Sequence, residues 1–188
     1  FVISAKYIDH LKNENYNSKK LDLSSIKIIT STGSPLAEES FKYVYENIKH
    51  DVHLASIAGG TDLVGCLVLG NLYSNVHKGE IQGQSLGIDV DVFTDDGKST
   101  KDGDKGELVV KKPFPSMPVK FWGDNDGQKY HNAYFKRFKN IWHHGDFIER
   151  TSNNGFIMRG RSDSTLNPGG VRIGTSEIYQ QVEDINFI

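Results

Sequence analysis

The hydrophobic pattern of this chain changes its period near Asn71. Before this point, short β-branched runs such as residues 26–30 alternate with helical patterns such as residues 41–48, whose apolar side chains recur at i, i+3, i+4 and i+7. After it, apolar and polar residues alternate with period two, as in residues 88–92. The sequence therefore predicts an α/β unit followed by a small antiparallel β-sheet or barrel.

We divide the chain into three predicted segments. Residues 1–75 are part of an α/β subdomain, residues 76–162 form a β-barrel-like subdomain, and residues 163–188 hold a hinge and the start of a further domain. The chain of 188 residues, of which 37% are hydrophobic, is long enough to bury a core. It begins at Phe1 and ends inside an apolar helical pattern, "QQVEDINFI", so we expect it to be an internal segment of a longer protein.

The charge and cysteine content exclude several classes of partner. A formal net charge of -2 arises from 22 basic and 24 acidic residues spread along the chain, which leaves no basic face for nucleic acid or an anionic membrane. We find no secretory leader and no apolar run of membrane-spanning length. The single cysteine, Cys66, cannot form an internal disulfide, and a reducing cytoplasmic compartment is therefore expected.

Two glycine turns follow predicted strands. "GSP" at residues 33–35 follows the run at 26–30, and "GGTD" at residues 59–62 follows the apolar run "VHLASIA". Ser34 is predicted to cap the next helix, and Pro35 suits its first position. The carboxyl ends of neighbouring parallel strands meet at one edge of a sheet, where open α/β folds bind ligands. We therefore expect both turns to reach one site.

A hairpin is predicted around the asparagine-glycine turn at residues 153–155, between two short apolar strands. A two-residue turn at positions 153–154 pairs Asp146 with Arg161, whereas a turn at 154–155 pairs Asp146 with Asp163. Either register brings the aspartate of "WHHGDF" beside "GRSD".

An aspartate beside an arginine is often only a surface ion pair, worth at most about 1 kcal/mol. Here the aspartate is accompanied by an apparently buried Trp142, by the glycine turns and by a second arginine, Arg172. A carboxylate accepts two hydrogen bonds from a sugar diol, and arginines hold phosphate oxygens. These residues together favour a ribonucleotide site.

Four motifs, "STGSPL", "GGTDLVG", "WHHGDF" and "GRSDSTLNPGGVRIGTSEIY", resemble in order and spacing the core motifs of the adenylate-forming superfamily of acyl-CoA synthetases and luciferases. "LASIAGGTDLVGC" and "FPSMPVKFW" are most similar to members that act on acetoacetate. The resemblance covers nearly the whole chain. It implies the end of a large N-terminal domain, with an α/β subdomain and a small β-barrel, followed by the start of a C-terminal lid domain.

The resemblance also implies a chemistry. Such enzymes join a carboxylate to the α-phosphate of ATP and then transfer the acyl group to coenzyme A, with Mg²⁺ at the phosphates. Acetoacetate is the expected acid. Acetate or propionate is the runner-up substrate, and a catalytically silent nucleotide-binding relative is the alternative class.

Individual positions inherit roles from the resemblance. Thr61 is expected to bind phosphate and Asp62 to hold Mg²⁺, both as catalytic residues. Asp163 matches the hinge of the lid, and Gly169 and Gly170 match the wall of the coenzyme A tunnel. The expected nucleotide-binding residues are Gly33, Ser34, Pro35, Ala58, Gly59, Gly60, Thr61, Asp146, Arg161 and Arg172.

The chain also departs from the superfamily pattern. The usual Tyr-Gly-x-Thr-Glu stands here as Ala58-Gly59-Gly60-Thr61-Asp62, so the aromatic that stacks on adenine is absent at that position and the carboxylate is one methylene shorter. The phosphate loop expected before Phe1 and the catalytic lysine of the lid are not in the chain. We expect this segment alone to be inactive.

Other candidate groups have simpler interpretations. Thr61 and Asp62 also suit a plain turn cap. His143 and His144 are adjacent in a strand and point to opposite sides, which disfavours a shared metal ion. Cys66 is predicted to be packing, and the cluster of Tyr130, His131, Tyr134 and Phe135 favours a packed helix face over a coenzyme A contact.

Overall fold

A computed structural model describes residues 1–164, 166 and 173–182. Within these residues the chain forms ten strands and four α-helices. A π-helical turn (Val44–Ile48) continues the second helix, and a short 3-10 turn (Ser162–Ser164) follows the last strand. The elements in chain order are β1 (Val2–Ser4), α1 (Ala5–Asn13), β2 (Ile28–Thr32), α2 (Glu38–Tyr43), β3 (His53–Ser56), β4 (Ala58–Gly60), β5 (Gly65–Leu69), β6 (Gly83–Gln84), β7 (Val90–Phe93), β8 (Lys105–Val110), α3 (Gln128–Tyr134), β9 (Trp142–Arg150), β10 (Phe156–Arg161) and α4 (Thr175–Val182).

The first part of the chain is an α/β unit. β1, β2 and β3 form a parallel sheet in that order. The side chain of Ser4 caps α1 by accepting a hydrogen bond from the Tyr7 N–H at 3.2 Å. Ile8, Phe41 and Leu54 are buried together and join the two helices to the sheet. The predicted alternation of strand and helix is confirmed.

The predicted start of α2 is wrong. The helix begins at Glu38 after an N-cap at Ala37 that makes no side-chain hydrogen bond, so neither Ser34 nor Pro35 belongs to it. Leu36 is buried in the core, and its burial outweighs the modest gain that a serine cap provides. Ser34 and Pro35 therefore lie in the loop at the sheet edge.

The second part of the chain is antiparallel. β7 to β10 form one sheet in the order β10-β9-β8-β7, and β4, β5 and β6 form another. An isolated bridge between Ile81 and Phe156 connects the two. Leu63 and Leu67 share one buried cluster with Trp142, so residues before the predicted division at 75 pack with those after it. The mixed α/β and antiparallel architecture is confirmed, whereas the barrel closure and the segment bounds stay predictions.

Gly59 and Gly60 form a strand and not the turn that we predicted. They pair with β5, and the turn lies at residues 61–64, where the Val64 N–H donates to the Thr61 carbonyl at 3.1 Å. A Cβ at Gly59 would lie 2.1 Å from the Gly65 carbonyl oxygen, so only glycine allows this approach of β4 and β5.

α4 packs against β10. A Cβ at Gly174 would lie 2.2 Å from the Arg159 carbonyl oxygen, so the two backbones are in contact there. The Lys105 ammonium pairs with the Glu177 carboxylate across the same junction. Among the helices of the described residues, none has the length and hydropathy needed to span a bilayer.

Candidate functional site

The hairpin of β9 and β10 places Asp146 opposite Arg161, as the first of the two predicted registers has it. The turn itself differs from the prediction. The Thr151 N–H donates to the Gly155 carbonyl at 3.0 Å, which leaves three residues in the loop, with Asn154 in the left-handed region at φ 60°. A bulge between Met158 and Gly160 then shifts the register by one residue. The longer loop and the bulge compensate each other.

Asp146 and Arg161 form an ion pair, with the Arg161 Nη1 donating to the Asp146 Oδ1 at 3.0 Å. The same nitrogen also donates to the His144 carbonyl at 3.2 Å. Gly145 makes this arrangement possible, because it has φ +82° and a Cβ there would lie 2.6 Å from the Arg161 Nη2. The guanidinium therefore lies flat against the backbone of β9.

The carboxylate of Asp146 is buried beside His144, whose Nε2 lies 3.6 Å from the Asp146 Oδ2. Burial raises the pKa of Asp146, although the nearby His144 and Arg161 oppose the shift. Burial likewise lowers the pKa of His144. The Trp142 Nε1 donates to the His144 Nδ1 at 3.3 Å, so the proton of the neutral ring is on Nε2. Trp142 is itself 1% exposed, which fixes the position of this ring.

A first hollow has a volume of about 520 Å³, and we call it the nucleotide hollow after the predicted nucleotide-binding residues that line it. It lies where β2 and β3 end, beside the β9–β10 hairpin. The ten predicted nucleotide-binding residues include nine that the structure describes, and all nine line this hollow: Gly33, Ser34, Pro35, Ala58, Gly59, Gly60, Thr61, Asp146 and Arg161. The structure thus brings together residues that are far apart in the sequence.

A second hollow, the outer hollow, has a volume of about 720 Å³ and shares Gly59, Gly60, Thr61 and Arg161 with the first. It is lined further by Asp62, Tyr134 and Asp163. The Tyr134 hydroxyl donates a hydrogen bond to the Asp62 Oδ2. Burial, and then the Asp62 carboxylate, raise the pKa of Tyr134 far above its ordinary value. The tyrosine is therefore a neutral donor at the mouth of the site.

A buried carboxylate, Glu107 on β8, supports the inner wall of the outer hollow. Its side chain is 0% exposed and contacts the Arg137 Nη1 and the His143 Nε2, each at 2.8 Å. The Ser162 hydroxyl, one residue before Asp163, also donates to it. Arg137, His143 and Ser162, which line the outer hollow, are thus held by the Glu107 side chain.

Known proteins are similar to this chain over nearly its whole length. No protein-family model matches the chain. An acetoacetyl-coenzyme A synthetase of Rhizobium meliloti (strain 1021) is 58% identical over 189 aligned residues, which cover 100% of this chain and 29% of that protein. The solved structure of acetoacetyl-CoA synthetase from Streptomyces lividans is 39% identical, has a TM-score of 0.88 and covers 97% of this chain. The chain belongs to the acetoacetyl-CoA synthetase family.

The chain spans 29% of the length of the Rhizobium meliloti relative and 28% of the Streptomyces lividans structure. A more distant structure, an anthranilate CoA ligase in complex with anthranoyl-AMP, has a TM-score of 0.79 at 17% identity and covers 99% of this chain. That likeness concerns the fold alone.

Arg172, Gly169 and Gly170 lie outside the described residues. Asp163 lines the outer hollow and is exposed. The roles of all these residues stay predictions.

Three residues shape the site in ways that the sequence does not predict. Glu107 reads as an ordinary polar position in a strand, and nothing in its neighbourhood signals burial. The sequence suggests only a disfavoured metal-ligand role for His144, whereas in the structure this residue contacts Trp142 and Asp146. Tyr134 was correctly predicted to pack in a helix face, but its contact with Asp62 was not foreseen.

Proposed function

We propose that the complete protein containing this chain is an ATP-dependent acid–thiol ligase that converts acetoacetate to acetoacetyl-CoA. In the first step a carboxylate oxygen of the acid attacks the α-phosphorus of ATP, and the bond to pyrophosphate breaks. In the second step the thiol sulfur of coenzyme A attacks the acyl carbon of acetoacetyl-AMP, its proton passes to solvent, and AMP leaves.

One observation carries this proposal. Thr61, Asp146 and Arg161, which come from three separate stretches of sequence, line a single hollow of about 520 Å³ beside the glycine loop at residues 33–35. Ligands of open α/β folds bind at such a sheet edge. The identity with acetoacetyl-CoA synthetases over the same residues supports acetoacetate as the acid.

We assign roles within the nucleotide hollow from the chemistry of each group. The loop at residues 33–35 borders the adenine, and residues 58–60 form the wall between the base and the acyl group. Asp146 accepts hydrogen bonds from both ribose hydroxyls, because each carboxylate oxygen has a second acceptor site beyond its contact with Arg161 at 3.0 Å or with His144 at 3.6 Å. Arg161 favours the ionised form of this carboxylate and lies beside the phosphate end at Thr61. Arg172 would add a second guanidinium at the α-phosphate.

Mg²⁺ is compatible with the residues at Asp62. The described residues contain no cluster of three or more His, Cys, Asp or Glu side chains that would form a complete metal site. Asp62 instead offers one exposed carboxylate beside Thr61, and Mg²⁺ is usually bound by one or two carboxylates together with substrate phosphates and water. Bound there, Mg²⁺ would offset charge on the phosphates during the attack.

We further propose that Asp163 is the hinge of a C-terminal lid and that Gly169 and Gly170 line the path of coenzyme A. The Ser162 hydroxyl, held by Glu107, fixes the residue before this hinge. The β-barrel and the division at residues 75 and 162 belong to the same proposal. The single cysteine, Cys66, supports a reducing compartment, for which we propose the cytoplasm.

A pyrophosphate-exchange assay on the complete protein tests the function. Exchange of labelled pyrophosphate into ATP requires a reversible adenylation step, so it detects the first half-reaction without coenzyme A. We expect exchange with acetoacetate and much less with acetate or propionate. Faster exchange with another short acid would replace the substrate, and no exchange with any acid would leave a silent nucleotide-binding protein and contradict the ligase proposal.

A further inference from the structure

Tyr134 joins two parts of the site that are distant in sequence. It is the last residue of α3, and its hydroxyl donates to Asp62 in the turn after β4, 72 residues earlier in the chain. Both residues line the outer hollow. The contact therefore connects a helix of the antiparallel unit to the proposed phosphate end of the nucleotide site.

The ring of Tyr134 is held in place by aromatic neighbours. It stacks on Trp142, with ring centroids 3.6 Å apart and an interplanar angle of 11°. Phe121 and Tyr130 contact its edge at 5.9 Å and 5.8 Å. Since Trp142 is buried, the direction of the Tyr134 hydroxyl is set by the core.

Asp62, in contrast, has little support of its own. It is exposed, and within the described ranges Tyr134 is the one side chain that donates a hydrogen bond to it. A short carboxylate on an exposed turn samples several rotamers unless a partner selects one. The Tyr134 contact uses Oδ2, and Asp62 lines the outer hollow beside Thr61.

We propose that Tyr134 is a positioning residue that holds the Asp62 carboxylate in the outer hollow beside Thr61, where this hollow meets the nucleotide hollow. It thereby lowers the Mg²⁺ concentration at which nucleotide binds. The inference rests on the proposed function of Asp62. It adds a route by which the Trp142 core controls that residue, and it gives α3 a part in substrate binding.

The substitution Tyr134→Phe tests the proposal, because it deletes the hydroxyl and keeps the ring on Trp142. ATP binding to the complete protein is measured by calorimetry at a series of free Mg²⁺ concentrations. We expect the Mg²⁺ concentration for half-maximal binding to rise about 3- to 10-fold, as for the loss of one hydrogen bond. Tyr130→Phe is the matched control, since it deletes a hydroxyl on the same helix that donates to the Pro118 carbonyl at 2.5 Å. We expect no change in the control.

A second variant separates failure of the inference from failure of the proposed function. Asp62→Asn should itself raise the Mg²⁺ requirement, and adding Tyr134→Phe to it should have no further effect, because the two side chains act as one unit. If Asp62→Asn raises the requirement and Tyr134→Phe does not, the positioning role is wrong and the function of Asp62 stands. If neither variant changes it, Asp62 is not at the metal. If Tyr130→Phe has the same effect as Tyr134→Phe, general loosening of α3 explains both and the inference is wrong.

Discussion

Asp146→Asn is the substitution that most sharply separates function from stability in this protein. The residue is buried between Arg161 and His144, and the exchange removes its negative charge with almost no change of shape. If Asp146 holds the ribose, loss of its negative charge weakens nucleotide binding, while the stability of the fold stays the same or rises.

The effect on affinity follows from the hydrogen bonds that a carboxylate forms with a diol. An amide keeps one acceptor oxygen and turns an N–H₂ donor toward the second hydroxyl. The loss of one charge-assisted hydrogen bond and the weakening of the other cost about 2–4 kcal/mol, which corresponds to a roughly 30- to 1,000-fold weaker binding of ATP.

The effect on stability follows from the direction of the pKa shift. Burial raises the pKa of Asp146 in the folded state above its value in the unfolded chain. The folded state therefore binds the proton more tightly, and ionisation of Asp146 at neutral pH lowers the free energy of unfolding. This penalty begins to shrink as the pH falls below the raised pKa, and it is gone below the pKa of Asp146 in the unfolded chain. The lost ion pair offsets the gain by no more than about 1 kcal/mol, because Arg161 is half exposed.

Calorimetry of ATP binding and thermal unfolding at several pH values check both effects on the complete protein. We expect the variant to bind ATP weakly while unfolding at the same or a higher temperature than the wild type at pH 7. The difference in unfolding temperature should shrink toward acidic pH, where Asp146 becomes neutral as well. Unchanged ATP affinity would refute the ribose role, and a large loss of stability at pH 7 would refute the electrostatic reasoning.

Two further substitutions test the supports of the site. Gly145→Ala should lower stability by about 1–2 kcal/mol because of its positive φ, and it should also weaken ATP binding because the new methyl displaces the Arg161 guanidinium. Gly87→Ala is the control, since Gly87 has φ +77° and nothing lies within 4 Å of the new Cβ, and it should lower stability alone. Equal ATP affinity in the two variants would contradict the contact between residue 145 and Arg161. Glu107→Ala leaves Arg137 and His143 without their shared carboxylate and should cost about 3–5 kcal/mol in chemical denaturation, whereas a loss below about 1 kcal/mol would show that the pair is solvated.

The parts of the fold that sequence predicts are those set by local pattern. The change of period near Asn71 predicted the parallel unit and the antiparallel unit, because side-chain periodicity directly reflects which face of a helix or strand is buried. The meeting of residues 33–35 with residues 59–61 at one hollow also followed from a general rule, since adjacent parallel strands end at one edge of the sheet.

The hairpin register is a more instructive case. The pairing of Asp146 with Arg161 was correct, but it was derived from a two-residue turn that the protein does not have. Asn154 adopts a left-handed conformation in a three-residue loop, and the bulge near Arg159 restores the pairing. Turn length and bulges depend on packing across the sheet, so asparagine and glycine alone do not determine them.

The contacts that sequence cannot predict are those between distant residues. Glu107 meets Arg137, His143 and Ser162 only after the sheet and the α3 region are assembled. The start of α2 depends on the burial of Leu36, which competes with the capping signal of Ser34. In both cases the deciding energy is tertiary, and no local pattern reports it.

The central claim is that Asp146, Arg161 and Thr61 enclose the nucleotide. A crystal structure of the complete protein with a non-hydrolysable acyl-AMP analogue measures this directly. We predict both ribose hydroxyls within hydrogen-bond distance of the Asp146 carboxylate, with the phosphate beside Thr61. A nucleotide bound outside this hollow, or with its ribose turned away from Asp146, would contradict it.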